Sequence, residues 1–263
     1  MAILNDMHSE IDGTFDAIDQ FARERLGGDV DLGHVETKTG LDIVTDRDLE
    51  MERALIDLIA RRHPGHVVYA EETADARRAA ESVWVIDPID GTINFAAGMP
   101  LFNVSVAYQH AGETRAALVV APAFGRSWRA RKGEGAWRDE ARLGVSTRAA
   151  RDAVIGAGLT SHYSTQETDR ALAIVRRLAP DFRGVRAIGS CALELAWIAE
   201  GRLDGFVSIK ADPFSTVAGA LLVREAGGVV TDFEGRPFGD DSPTIVASNG
   251  VIHDRLVEAC ARR

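Results

Sequence analysis

Apolar residues recur every three or four positions over residues 4–26 and again between Thr45 and Pro64, with polar residues between them. This period places apolar side chains on one face of a helix, so the pattern predicts two amphipathic helices. The first ends at Gly27 and Gly28. Thr45 and Asp48 stand three residues apart at the start of the second, which predicts a capping box.

Short apolar and β-branched runs predict strands in the first part of the chain. Residues 66–69 form one such run, and residues 83–86 form another that ends abruptly at Asp87 and Pro88. Turn residues separate three further runs, which together predict an antiparallel meander: 102–108, 116–121 and 127–131.

After about residue 145 the pattern changes to strands that alternate with helices. The predicted strands are 153–157, 184–188, 205–209 and 244–247, and the predicted helices are 169–179, 191–199, 218–225 and 251–261. Such alternation indicates a partly parallel α/β half. The predicted division is an N-terminal α+β half, residues 1–145, carrying most of the candidate metal ligands, and a C-terminal half, residues 146–263, completing the active site.

Two carboxylates, Asp87 and Asp90, leave the predicted strand 83–86 together. Pro88 restricts one φ angle and Gly91 is free to adopt a positive one, so the chain can turn both carboxylates toward one point. A hard cation such as Mg²⁺ requires oxygen ligands in such a cluster. The alternative is a solvated turn.

Gly91 and Thr92 follow this acid pair and predict the start of a helix, whose free N–H groups suit a phosphate. Glu71 and Glu72 end the predicted strand 66–69. Alone, such an acid pair is more often a solvated turn. Two acid pairs at two strand ends are, however, what a shared metal pocket would need.

Composition narrows the function classes. The chain has 263 residues, 46% of them hydrophobic, which allows a sizeable core. A net charge of −10 argues against nucleic-acid and anionic-membrane partners. Without a long apolar run or a signal-peptide pattern, a cytoplasmic protein is expected. Two cysteines and seven scattered histidines support neither a disulfide framework, nor zinc, nor a catalytic triad.

The segment from Trp84 to Phe95 resembles a signature of the inositol monophosphatase family, W-x-x-D-P-[LI]-D-G-T-x-N-[FY]. These proteins are Mg²⁺-dependent phosphomonoesterases. Residues 212–228 resemble the family's second signature, W-D-x-A-A-G-x-x-x-x-E-A-G-G. The resemblance extends over most of the chain, and it implies an α/β (α+β) fold, a layered α-β-α-β-α sandwich of the inositol monophosphatase and fructose-1,6-bisphosphatase type.

The resemblance also implies an activity, the hydrolysis of a small phosphorylated polyol, sugar or nucleotide with two or three Mg²⁺ ions. It implies that Thr92 helps to deprotonate the attacking water and that the Gly91 and Thr92 amides hold phosphate. Asp48 would lie near an outer metal or simply cap its helix. Relatives are often dimers, so the resemblance allows a homodimer. The implied metal ligands are Glu71, Asp87, the Ile89 carbonyl, Asp90 and, as argued next, Asp212, which is also expected to contact the substrate.

Two departures from the family pattern bear on the site. Ser215 stands where the family has a metal-binding Asp, so either Asp212 replaces that carboxylate or Ser215 coordinates directly or through water. Ser208 stands where some relatives have a Glu that holds sugar hydroxyls, which makes inositol phosphate a less favoured substrate.

Two alternatives stay open. Gly189 and Ser190 would offer backbone N–H groups to substrate oxygens, or Ser190 is an ordinary N-cap. The Ser215 substitution also motivates a second reading of function, a family member that has lost turnover and binds a metal, a ligand or a partner.

Overall fold

The computed structural model describes residues 2–28, 33–38, 40–73 and 80–261. The helices in these ranges are α1 (Ala2–Leu26), α2 (Asp46–Arg62), α3 (Thr92–Ala96), α4 (Thr165–Leu178), α5 (Cys191–Ala199), α6 (Pro213–Glu225) and α7 (His253–Ala261). The first strands are β1 (Val35–Thr37), β2 (Ile43–Thr45), β3 (Val67–Ala70), β4 (Ser82–Asp90), β5 (Asn103–His110), β6 (Glu113–Ala121), β7 (Arg126–Arg131), β8 (Gly135–Arg138) and β9 (Ala141–Arg142). The remaining strands are β10 (Val154–Ala157), β11 (Gly184–Arg186), β12 (Gly205–Ser208), β13 (Val229–Thr231) and β14 (Ile245–Ser248).

Strands β3 to β9 form one seven-stranded sheet in sequential order. β3 and β4 pair in parallel, and each later neighbour pairs antiparallel, which confirms the predicted meander. Side chains alternate along β4, so that Trp84 and Ile86 pack with α1 and α2 on one face. Val83 and Val85 pack with α5 and α6 on the other face.

Strands β10 to β14 form a five-stranded sheet in the order β11-β10-β12-β14-β13. β10 pairs in parallel with both β11 and β12, which confirms the predicted parallel character of this part. Residues of α5 and α6 cover one face and residues of α4 and α7 cover the other. The layers therefore run helix, sheet, helix, sheet, helix, and the predicted α-β-α-β-α architecture is confirmed.

Helices α1 and α2 are the two amphipathic helices that the sequence predicts, and their apolar faces are buried. Ile11, Phe15 and Ile18 of α1 are buried in the core beneath the seven-stranded sheet. Thr45 caps α2, and the capping box with Asp48 is present. Within the described residues, no helix has the length and apolar character needed to cross a bilayer. The division into two halves at residue 145 stays a prediction. Helices α5 and α6 pack against both sheets, so the two halves share a core.

Strand β4 is longer than its apolar run predicts. The run ends at Ile86, but ladder pairing continues through Asp87 opposite Ser105 and resumes at Asp90 opposite Asn103 after a shift in register. The expectation of an abrupt end at Asp87 was therefore wrong. Pro88 has no N–H to donate to the neighbouring strand, so a regular ladder would break at this position. A bulge between Asp87 and Asp90 accommodates the proline and lets the pairing resume.

Candidate active site

A cavity of about 630 Å³ opens beside the end of β4. It is lined by the acid turn after β3, the bulge of β4, the start of α3, the loop after β10 and the starts of α5 and α6. A phosphate and its cations alone would not fill this volume, which falls in the usual range for small-molecule sites.

Three carboxylates, Glu71, Asp87 and Asp212, line this cavity. Ala70 pairs with Ile86 in the parallel β3–β4 ladder, so Glu71 and Asp87 extend from adjacent strand positions. Their side chains share a hydrogen bond. Asp212 precedes α6 and lines the same cavity. The structure thus brings together three of the predicted metal ligands from three separate parts of the chain.

These carboxylates are held in an environment that disfavours their charge. Burial, and then the charges of Asp212 and Glu72, raise the pKa of Glu71 to about 8. Burial, and then the charges of Glu71, Asp90 and Asp212, raise the pKa of Asp87 well above its usual range. Burial also raises the pKa of Asp212. A bound cation would reverse these shifts, because opposite charge favours the ionised form.

The donor set fits a hard cation in its chemistry, since every donor is an oxygen. Across residues 2–28, 33–38, 40–73 and 80–261, no three Asp, Glu, His or Cys side chains stand close enough to hold an ion as they are. Because the pKa values of Glu71 and Asp87 are raised, a bound cation would compete with protons for these carboxylates.

The bulge of β4 orients two more of the predicted groups. The Ile89 amide donates to Asp87 Oδ1 at 3.0 Å, which fixes the turn of the acid pair. The Ile89 carbonyl lies 3.0 Å from Thr92 Oγ1 and is an alternative acceptor for the one hydroxyl proton that Thr92 also directs at Asp48. Gly91 then adopts φ 97°, and a Cβ atom there would lie 2.8 Å from the Leu101 carbonyl oxygen, so glycine is required for both reasons.

Asp90 lines the cavity, and its carboxylate is directed at the start of α5. Its Oδ2 accepts from Asn103 Nδ2 at 2.6 Å and from the Ala192 amide at 2.8 Å, and its Oδ1 accepts from the Cys191 amide at 3.1 Å. These bonds lower its pKa, but burial outweighs them and raises the pKa to about 6. Asp90 is therefore anchored at a helix N-terminus, which favours an anion.

Ser190 occupies the N-cap position of α5, but its hydroxyl makes no capping bond. It donates instead to Asp90 Oδ2 at 3.0 Å, and it accepts from Asn103 Nδ2 at 2.8 Å. The reading of Ser190 as an ordinary N-cap is thus wrong, because the Asp90 carboxylate takes the place that its side chain would fill.

Thr92 connects the cavity to α2. Its hydroxyl lies 3.0 Å from Asp48 Oδ1, while Asp48 Oδ2 accepts from the Thr45 amide at 2.9 Å. Asp48 is only 1% exposed. Burial raises its pKa even though the bonds from Thr45 and Thr92 act to lower it. The helix-cap reading of Asp48 is confirmed, and the same side chain also reaches Thr92.

Phosphate binding by the Gly91 and Thr92 amides stays a prediction. Helix α3 that follows has only five residues, so its macrodipole adds little, and the N–H groups themselves would carry the attraction. Both residues line the cavity on the side of the acid cluster.

Sequence reasoning missed three buried polar residues around the site. Glu52 lies one helical turn after Asp48, and its Oε2 accepts from the Glu72 amide at 2.7 Å. Asn103 donates to Asp90. Glu194 lines the cavity from α5. The spacing of Glu52 four residues after Asp48 was a signal, because it places both carboxylates on one face of α2.

Comparison with known proteins identifies the family. The model of the inositol monophosphatase family matches residues 12–263. A Thermotoga maritima protein named fructose-1,6-bisphosphatase/inositol-1-monophosphatase is 39% identical over 228 residues, 86% of each chain. The Escherichia coli protein named Nus factor SuhB is 38% identical over 206 residues, 78% of this chain and 77% of that one. A solved Thermotoga maritima IMPase structure superimposes with a TM-score of 0.81 at 34% identity, covering 99% of this chain and 97% of the other.

These matches define the class of the protein, an enzyme that hydrolyses phosphoric monoesters. The chain belongs to the inositol monophosphatase family.

Proposed function

We propose that this protein is a Mg²⁺-dependent phosphatase that releases inorganic phosphate from a small phosphorylated polyol, sugar or nucleotide. One observation carries the proposal. Glu71, Asp87 and Asp212 line the same cavity as Thr92, whose hydroxyl is hydrogen-bonded to the buried carboxylate of Asp48. This arrangement supports a cation site next to a proton acceptor for water.

Glu71, Asp87, the Ile89 carbonyl and Asp212 are the groups that would hold the metal ions, with Asp90 as a further carboxylate. Bound Mg²⁺ would lower the pKa of the attacking water and would neutralise the negative charge of the phosphoryl oxygens in an in-line displacement. No covalent nucleophile is needed in such a reaction.

Thr92 and Asp48 handle the proton of the attacking water. Thr92 Oγ1 accepts a hydrogen bond from that water and donates its own proton toward Asp48 Oδ1, 3.0 Å away. Because burial raises the pKa of Asp48, this carboxylate is a better proton acceptor than an exposed aspartate. The Gly91 and Thr92 amides face the phosphate that is being transferred.

Asp212 is favoured over Ser215 as the residue that would hold the second metal ion. Its charge acts on both Glu71 and Asp87. Ser215 Oγ donates to Asp212 Oδ2 at 3.3 Å, so the serine supports Asp212. The alternative reading, a family member without turnover, is motivated by Ser215 alone. The absence of a nucleic-acid partner stays a prediction, since one relative is named as a Nus factor.

The test is phosphate release from inositol 1-phosphate, fructose 1,6-bisphosphate and a nucleotide monophosphate, each with Mg²⁺ and with EDTA. We expect activity that needs Mg²⁺ and is lost in Asp87→Asn, which keeps the size of the side chain and removes its charge. Asp57→Asn, on the exposed face of α2, is the matched control and should behave as the parent. Binding of Mg²⁺ without release of phosphate from any substrate would favour the alternative reading.

A further inference from the structure

A layer of four rings lies near the start of β4, away from the acid pair at its end. The ring centroid of Trp84 lies 5.1 Å from that of His63, 6.4 Å from that of His66 and 5.1 Å from that of Tyr108. The two imidazoles stack on each other, with centroids 4.9 Å apart and ring planes within 11° of parallel. His63 caps the end of α2, so the layer joins this helix to β4 and β5.

One hydrogen bond fixes the protonation of His66. Trp84 Nε1 donates to His66 Nδ1 at 3.0 Å. An indole nitrogen can only donate, so His66 Nδ1 carries a lone pair and the proton of the neutral ring is on Nε2. A second proton would have to be added at Nδ1, where it would displace Trp84. The indole N–H, on a side chain with 0% exposure, would then lose its acceptor, which is destabilising.

His63 connects the same layer to α1. Thr14 Oγ1 donates its one proton to the Glu10 carbonyl at 3.0 Å. His63 Nε2, 2.7 Å from that hydroxyl oxygen, is therefore the donor to it. This bond survives protonation of His63, whereas the bond from Trp84 does not survive protonation of His66. His66 is thus the acid-sensitive member of the histidine pair.

Charges on α1, α2 and β5 act on the pair. Burial, and then the charge of His110, lower the pKa of His66, while Glu10 acts in the opposite direction. Burial, and then the charges of His66 and Arg62, lower the pKa of His63, and Glu10 again opposes them. Glu10 lies on the exposed side of α1, where water screens its charge. The neutral forms of both rings are therefore favoured.

The remaining polar groups at the layer come from β4 and β5. Tyr108 stacks on His66 with centroids 5.7 Å apart. Its OH and His110 Nδ1 both lie within hydrogen-bond distance of Ser82 Oγ, at 3.2 and 3.1 Å. Glu81 lies 3.6 Å from His110 Nε2, but its side chain is 79% exposed, so it offers a proton on His66 little compensation.

We propose that the pair of His63 and His66 is an acid-sensitive switch built into the fold, in which uptake of a proton by His66 breaks the bond from Trp84 and loosens the packing of α1 and α2 on the seven-stranded sheet. Neither histidine lines the cavity. The switch concerns stability and is independent of the proposed activity and of any substrate.

The sign of the pH dependence follows from the lowered pKa of His66. Below the pKa of a histidine in the unfolded chain, about 6.5, the unfolded chain binds a proton that the folded protein excludes. The stability contributed by the neutral pair is thus complete above about pH 6.5 and is lost as pH falls below it. The raised pKa of Glu71 gives the opposite slope, so a substitution at His66 alone separates the two effects.

The test is thermal unfolding of the parent and of His66→Gln at about pH 7.5 and about pH 5.5. Glutamine keeps an acceptor for Trp84 and takes up no proton. Between these pH values the Tm of the parent should change unfavourably by about 2–5 °C more than that of His66→Gln. The matched control is His34→Gln, at an exposed histidine before β1, and it should follow the parent. The difference should be the same with Mg²⁺ and with EDTA.

Nuclear magnetic resonance of the parent gives a second measurement, which decides the matter if His66→Gln folds poorly. Long-range ¹H–¹⁵N correlation spectra should show His66 with its proton on Nε2 at about pH 7.5 and still neutral at about pH 6. An equal change of Tm in the parent and in His66→Gln would overturn the switch. A proton on His66 Nδ1 at about pH 7.5 would overturn it as well.

Discussion

Replacing Asp212 with Asn isolates one charge of the acid cluster. Asp212 is the N-cap of α6, and its Oδ1 accepts from the Phe214 amide at 3.2 Å. Asn and Asp cap helices about equally well, so Asp212→Asn keeps the cap, whereas alanine would cost about 1 kcal/mol of stability. The substitution therefore removes the charge and leaves the local structure in place.

Two effects of opposite sign should follow. Without Mg²⁺, the Glu71–Asp87 pair loses the repulsion of a third carboxylate, so Tm should rise. With Mg²⁺, the site has lost a carboxylate ligand. Loss of even an outer-shell partner typically lowers metal affinity about 10- to 100-fold, so the Kd for Mg²⁺ should rise at least that much. This corresponds to about 1.4–2.8 kcal/mol of binding free energy.

Calorimetric titration of Mg²⁺ into the parent, Asp212→Asn and Ser215→Asp measures these changes, with Asp57→Asn as the charge-matched control. Ser215→Asp adds a carboxylate beside Asp212, since the two side chains are already 3.3 Å apart, and should improve affinity little. An Asp212→Asn protein with the parent's Mg²⁺ affinity, together with a clear gain in Ser215→Asp, would refute the assignment of the second carboxylate to Asp212.

Three further predictions concern neighbouring groups. Thr92→Ala should lower kcat with little change in KM, because the hydrogen bond from Thr92 to Asp48 acts in the transition state. Thr92→Ser keeps the hydroxyl and should retain activity. A raised KM alone would make Thr92 a binding residue. Glu52→Ala should raise the Mg²⁺ concentration for half-maximal activity, because the Glu72 amide loses its acceptor and the turn that carries Glu71 is less firmly held. An unchanged Kd for Mg²⁺, measured by calorimetry, would contradict this prediction. Folding raises the pKa of Glu71 from 4.5 to about 8, so the metal-free protein should lose stability as pH rises through that range. Mg²⁺ should raise Tm more near pH 8 than at about pH 6, because at pH 6 it must displace a proton from Glu71. Thermal scans with equal Mg²⁺-induced shifts in Tm at the two pH values would argue against this linkage.

Periodicity was enough to predict most of the fold. The amphipathic pattern of α1 and α2 and the apolar runs of β5 and β6 follow from burial on one face or on both. Strands of two or three residues, such as β9 and β13, were missed, because so short a run carries no period. The extension of β4 was missed because its last residues are acidic and contain a proline, which is unusual inside a ladder.

From the residues themselves, the candidate site was predictable where they are local in sequence, whereas Asp212 was predicted from the family resemblance. Asp87 and Gly91 belong to one turn, and parallel pairing of β3 with β4 then brings Glu71 to Asp87. The direction of Asp90 was not predictable, because its partners Cys191 and Ala192 lie about a hundred residues later. No local pattern reports contacts of that kind.

These long-range contacts tie the acid turn to the rest of the molecule. Asn94 Nδ2 donates to the Ile188 carbonyl at 2.8 Å, and Ser105 Oγ donates to the Phe214 carbonyl at 3.1 Å. The first bond joins α3 to the segment before α5, and the second joins β5 to the start of α6, next to Asp212. Because the elements on either side of residue 145 thus set each other's position at the cavity, correct spacing of the carboxylates depends on both sheets packing against α5 and α6. Loss of either contact should therefore weaken cation binding before it unfolds the protein.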